Sequence, residues 1–148
     1  DEALKLAAEL GATITVNSKN SQNIVGEIKE LTKGGAHVSI DALGNKETCF
    51  NSISNLRKSG KHVQVGLMAG SDHNPEIPMD LVIANELEII GSHGMQAYKY
   101  HEVFEMIRSE KIAPKKLLGN TISLVESVDL LPEMDRFNRQ GVTVINSF

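Results

Sequence analysis

The sequence has one cysteine, Cys49, and no signal-peptide pattern at its start. No internal disulfide can form, and the reducing cytoplasm is the expected compartment. No apolar run approaches the roughly 20 residues a membrane-spanning helix needs, so no membrane partner is expected. Lys and Arg (15) are scattered and outnumbered by Asp and Glu (19), for a net charge of −4. Without a basic stripe to meet a phosphate backbone, nucleic acid is excluded as an expected partner. Low-complexity segments, long linkers and fixed-period repeats are also missing. What remains, 148 residues of which 41% are hydrophobic, suffices for one ordinary core.

Apolar periodicity gives an α/β order. Leu4, Leu6, Ala7 and Leu10 predict a helix ended by Gly11, and the β-branched run over residues 13–16 predicts a short buried strand. The first residue is Asp1 rather than Met and already reads as the opening turn of that helix, so a preceding segment is expected. Ser21 or Asn20 can cap a second helix carrying Ile24, Val25, Ile28 and Leu31, broken by Gly34-Gly35 before a strand over 37–40. A third helix over 46–58, stopped at Gly60, precedes a strand over 63–67. Such repeated αβ units predict a parallel sheet with right-handed crossovers. Beyond it come a polar loop over 70–78, one or two helical turns over 79–85, a strand over 87–91 and a poorly capped helix over 98–109. The tail reads as a strand over 121–124, a helix over 126–137 with Val128, Leu130, Leu131 and Met134 toward its buried face, and a last strand over 142–145.

Ligands of open parallel sheets bind beyond the carboxyl ends of the strands. Three places qualify: Asp41-Ala42-Leu43-Gly44, Val65-Gly66-Leu67 and Gly91-Ser92-His93-Gly94. Each has a glycine, which either lets a ligand approach the backbone or only turns the chain. His93 follows a strand end and reads as a backbone contact or pocket wall ahead of an acid, base or ligand. His37, His62, His73 and His101 lack ligand-like spacing and read as surface or packing residues. Cys49 reads as a small buried hydrophobe. Asp41 can hold a ribose hydroxyl or hydrogen-bond a nearby turn, and stays outside the candidate set.

The run Gly34-Gly35-Ala36-His37-Val38-Ser39-Ile40-Asp41-Ala42-Leu43-Gly44 resembles the fourth strand and following turn of zinc-dependent alcohol dehydrogenases of the medium-chain dehydrogenase/reductase superfamily. Val65-Gly66-Leu67 is similar to the strand end under the nicotinamide ring in that family. Glu88-Ile89-Ile90-Gly91-Ser92-His93-Gly94-Met95 resembles its last nucleotide-domain strand and turn. Met134-Asp135-Arg136-Phe137 with Gly141-Val142-Thr143-Val144-Ile145 resembles one branch of it. The resemblance extends over essentially the whole chain and is specific in order and spacing.

The resemblance implies a partial Rossmann-type, doubly wound parallel sheet lacking its first strands, with a C-terminal strand/helix/strand tail. Residues 1–112 would be the partial NAD(P)-binding domain, and 113–148 a segment returning to the catalytic domain. Leu43 and Gly44 would pass near the adenine and its ribose, and Val65 and Leu67 would flank the nicotinamide of NAD or NADP. Gly66 would allow close approach, and the backbones of Ser92 and Gly94, with His93 between, would hold the carboxamide. Thr143 stands where many members carry Arg or Lys. No catalytic residue is expected here: the G-x-G-x-x-G pyrophosphate turn and the acid that holds the ribose are absent, and zinc ligands would come only from an N-terminal half. The complete protein would pass hydride between an alcohol or aldehyde and the cofactor, this portion alone being inactive. A homo-oligomer is expected, with residues 68–79 near the seam. Two other readings stay open: a zinc-free quinone-oxidoreductase-type reductase of the same superfamily, and a non-enzymatic α/β binding module.

Overall fold

A computed structural model describes residues 2–136 and 140–148. Asp1 and Phe137, which the sequence reading placed in the first helix and in the tail, lie outside the described residues. In chain order the elements are α1 (Glu2–Glu9), α2 (Ile24–Leu31), β1 (Ala36–Asp41), α3 (Lys46–Ser54), β2 (Leu56–Gln64), α4 (Met79–Ala84), β3 (Glu88–Gly91), α5 (Tyr100–Arg108), β4 (Leu118–Ser123), α6 (Leu124–Leu130) and β5 (Val142–Ser147). They form two compact units, Ser18–Gly94 and Asp1–Asn17 with Met95–Phe148.

In the first of these units the strands pair in parallel in the order β1-β2-β3, the α/β arrangement that alternating helix and strand periodicities predict. Asn23, not Ser21 or Asn20, caps α2: its side-chain oxygen accepts from the Gly26 amide at 3.0 Å. A cap must directly precede the first helical residue, here Ile24. The helix expected over 46–58 ends at Ser54, and the sheet claims the rest. The Ala36 amide donates to the Asn55 carbonyl (3.0 Å), and Leu56 then pairs with Ala36. The register next resumes at Val38 with Lys61, so residues 57–60 bulge out, with Ser59 at φ 57°. Gly60 therefore belongs to a bulge rather than to a helix stop, and β2 ends at Gln64 instead of 67.

Alternation gives the sheet two unlike faces. Ser39, Asp41, His62 and Gln64 share the face under α3, where Cys49, Ile53 and Leu56 are the buried apolar residues. Val38 and Ile40 share the opposite face and are 55% and 63% exposed.

The other unit holds a two-stranded parallel sheet, β4 with β5. Ser123 caps α6 in a box with Glu126: each side chain accepts from the other's backbone amide, at 3.3 Å and 2.7 Å. Those bonds hold the Glu126 carboxyl below its ordinary range against a small opposing effect of burial. Two sequence expectations fail here. Residues 13–16 form no strand, and Thr13, Ile14 and Thr15 are exposed; β-branched composition suits a sheet, but no partner strand pairs with this run among the described residues. The tail helix starts at Leu124 and gives way at Leu131 to a 3-10 turn, Leu131–Arg136. Pro132 has no amide proton with which to extend the α-helical ladder. Val128, Leu131 and Met134 are exposed, Leu130 is half-buried and Ser127 is the buried residue, so of the expected apolar face only Leu130 is turned inward.

Candidate functional site

Parallel pairing sets the ends of the three strands in one row. Asp41 is opposite Gln64, and Gln64 is opposite Gly91. Leu43 and Gly44, then Val65, Gly66 and Leu67, then Ser92, His93 and Gly94 follow these residues, so the carboxyl edge of one sheet brings the expected positions together. Leu43, Val65, Leu67, Ser92 and His93 are exposed there, and the Ser92 amide ties its turn to β2 by donating to the Gln64 carbonyl (2.9 Å). That amide is therefore engaged, which leaves the carbonyl and hydroxyl of Ser92 for a ligand. Gly94, at φ +59°, has open space where a side chain would be.

The other two turns pack glycine against glycine. A Cβ on Gly66 would run into the Gly44 amide and stand 2.6 Å from the Leu43 carbonyl carbon. One on Gly44, at φ +84°, would stand 2.6 Å from the Gly66 carbonyl carbon and the Leu67 oxygen. Both glycines thus admit a neighbouring turn.

Asp41 organises this contact. Its Oδ1 accepts from the amides of Leu43 (2.9 Å) and Gly44 (3.0 Å) and from the Thr48 hydroxyl (3.1 Å). Its Oδ2 accepts from Gln64 Nε2 (2.9 Å), which also donates to the Gly66 carbonyl (2.9 Å). Burial, at 3% exposure, pushes the Asp41 carboxyl up, but the Gly44, Gln64, Leu43 and Thr48 donors outweigh it and hold the group below its ordinary value. Of the two readings open for Asp41, hydrogen bonding to the nearby turn is the one observed. Burial, together with the Asp41 carboxylate, pushes the Cys49 thiol up, away from the thiolate form a nucleophile or metal ligand needs.

His62, 1% exposed, extends the network. Its Nε2 lies 3.1 Å from Gln64 Oε1, and its Nδ1 lies 3.0 Å from the Ser52 hydroxyl and 3.3 Å from that of Ser39. Sequence reasoning put His62 among surface or packing residues and passed over Gln64, Ser39, Ser52 and Thr48. A signal was present: β1 alternates apolar with polar residues, and α3 carries Thr48 and Ser52 four apart, on one face of a helix. Among the described residues no three His, Cys, Asp or Glu side chains gather closely enough to hold a metal, so this donor set does not fit a zinc ion. A cleft of about 500 Å3 lies in the other unit, with Leu10, Lys111, Ile112, Pro114 and Leu117 in its lining; it contains none of the strand-end residues.

Comparison with known proteins agrees with this geometry. The profile of the zinc-binding dehydrogenases matches residues 1–109. An NAD-dependent alcohol dehydrogenase of Sulfurisphaera tokodaii is 30% identical over 146 residues, which are 98% of this chain and 40% of that protein. The solved alcohol dehydrogenase of Aeropyrum pernix superposes with a TM-score of 0.81 at 26% identity, over 98% of this chain and 40% of that one. An alcohol dehydrogenase of E. coli CFT073, solved with NADH, gives a TM-score of 0.81 over 100% of this chain and 42% of that one; at 23% identity it speaks to the fold alone. The Rossmann-type fold is shared, and the chain spans about two fifths of the length of these relatives. With its parallel strand-end turns and a profile match over most of its length, the chain belongs to the zinc-binding dehydrogenase family of oxidoreductases.

Proposed function

We propose that this chain is the nicotinamide-facing part of the cofactor domain of a longer NAD(P)-dependent alcohol dehydrogenase. The observation that carries the reading is the single sheet edge on which all three strand-end turns meet. It is supported by the NAD dependence in the name of the Sulfurisphaera relative. Leu43, Val65 and Leu67 give apolar surface for flat rings, as sites for such cofactors commonly do. The exposed Ser92 hydroxyl and the open backbone at Gly94 offer polar contacts for a carboxamide, beside His93. The bound cofactor would supply the hydride chemistry. The chain's own residues would bind it, orient it and keep water from one of its faces.

This reading assigns residues 1–112 to the partial cofactor domain and 113–148 to a segment that returns to a catalytic domain. Zinc would be held outside this chain, since the donors present here do not suit it. An alcohol or aldehyde as substrate, a cytoplasmic location and a homo-oligomeric protein complete the proposal. The test uses the full-length polypeptide loaded with zinc, a panel of primary and secondary alcohols, and absorbance of reduced cofactor as readout. Turnover with NAD or NADP is expected; no oxidation of any alcohol with either would overturn the reading.

A further inference from the structure

The polar network beneath α3 has a direction. Gln64 faces two acceptors at one end, the Asp41 carboxylate and the Gly66 carbonyl, so its amide nitrogen must stand there. Its oxygen is thereby turned to His62, whose Nε2 must carry a proton to bond it at 3.1 Å. In the neutral ring Nδ1 then accepts from the Ser52 or Ser39 hydroxyl. Hydroxyl to imidazole to amide to carboxylate, each donor has its acceptor. The far end reaches the amides of Leu43 and Gly44, and the branch at Gln64 reaches the carbonyl of Gly66. Both glycine-packed turns are thus fastened to one side-chain relay, and Gln64 Nε2 also stands 3.6 Å from Met68 Sδ.

We propose that Gln64, oriented by His62 and anchored on Asp41, is a positioning residue that sets the spacing of the Leu43-Gly44 and Val65-Gly66-Leu67 turns for the dinucleotide. The inference rests on the cofactor reading above. Gln64 is one strand position short of the turn it holds, and its hydrogen bond to that turn is to the Gly66 backbone carbonyl. It therefore acts through the turns. A fully satisfied buried network of this kind defines geometry because any alternative leaves a polar group unpaired.

The experiment compares wild type, Gln64→Met and Gln64→Glu in the full-length polypeptide. It measures NADH and NADPH binding by fluorescence at about pH 8 and about pH 5, and amide hydrogen exchange at Leu43 and Gly44. The Met variant, close in shape but without donor or acceptor, should bind the preferred dinucleotide about tenfold more weakly, a loss of one buried hydrogen-bonded pair. Its Leu43 and Gly44 amides should exchange about tenfold faster. In Gln64→Glu the introduced carboxyl faces the Asp41 carboxylate and the His62 ring. Binding relative to wild type should be weak at the higher pH and recover at the lower one, where the introduced group is protonated and again donates to Asp41. A merely structural residue would instead speed exchange throughout the sheet, whereas a positioning residue confines the faster exchange to Leu43 and Gly44. Binding by both variants within twofold of wild type at both pH values, with unchanged exchange, overturns the proposal. Should wild type bind neither dinucleotide, the cofactor reading falls and exchange decides alone: faster exchange keeps the positioning role, unchanged exchange ends it. Should Gln64→Met not fold, Gln64→Glu carries the comparison between the two pH values.

Discussion

Because four donors surround the Asp41 carboxylate while burial opposes its charge, its protonation reports how well the β1 turn is formed. Its folded-state pKa lies below the ordinary value of 3.8, so the unfolded chain binds the proton more readily. The stabilisation is complete above the unfolded value and is lost as pH falls through the folded one. Asp41→Asn keeps the shape and removes the charge, and should cost about 2 kcal/mol at neutral pH, the scale of a charged hydrogen bond. Urea unfolding should show the gap between wild type and variant at about pH 7 and its closure toward about pH 3. A gap that stays constant over that interval would mean the carboxylate charge contributes nothing to the turn.

At the scale of elements, the two turns are held apart by the width of a glycine backbone. Gly66→Ala would place its methyl 2.6 Å from the Leu43 carbonyl carbon and 2.7 Å from Gly44 Cα, with no flexible side chain to give way. Overpacking of this kind costs about 1–3 kcal/mol. At Gly94 the same change meets open space and only the left-handed backbone penalty, about 1 kcal/mol. Thermal unfolding should therefore rank Gly66→Ala as the more damaging; equal midpoints would show that the turns do not pack as described. The strand-end row was legible in the sequence because apolar runs followed by glycine mark where parallel strands stop, as at Asp41-Ala42-Leu43-Gly44. The glycine contact was not, since nothing local says which turn a given glycine will touch. His62 and Gln64 escaped for a related reason: alternation in a strand tells which residues share a face, but not whether that face meets water or a helix with polar residues of its own. Residues 13–16 failed in the opposite sense, having strand composition and no partner strand among the described residues. The tail helix over 126–137 was read from apolar spacing alone, whereas Pro132, which lacks an amide proton, falls where the α-helix gives way.

For the molecule as a whole, the apolar surface lies on the wrong side for a chain acting alone. The buried apolar set among the described residues is small, Cys49, Ile53 and Leu56, whereas Val38 and Ile40 lie open on the face of the sheet away from α3. The free edge of β1 has no strand beside it among the described residues. Apolar faces and open strand edges both drive association, and parallel sheets are ordinarily covered on both faces. The 148-residue chain should therefore self-associate when purified by itself, with a weight-average mass in sedimentation equilibrium that rises with concentration. Val38→Lys with Ile40→Lys, side by side on the open face and away from the Asp41 network, should lower that mass toward the monomer. The pair of changes separates the two causes, since it charges the face but leaves the backbone of the β1 edge able to pair. Complete loss of association would assign it to the apolar face, and partial loss would leave the remainder to the edge. A wild-type chain that stays monomeric at the highest soluble concentration would show instead that this face is tolerated in water, and that the small core under α3 is enough to sustain the fold.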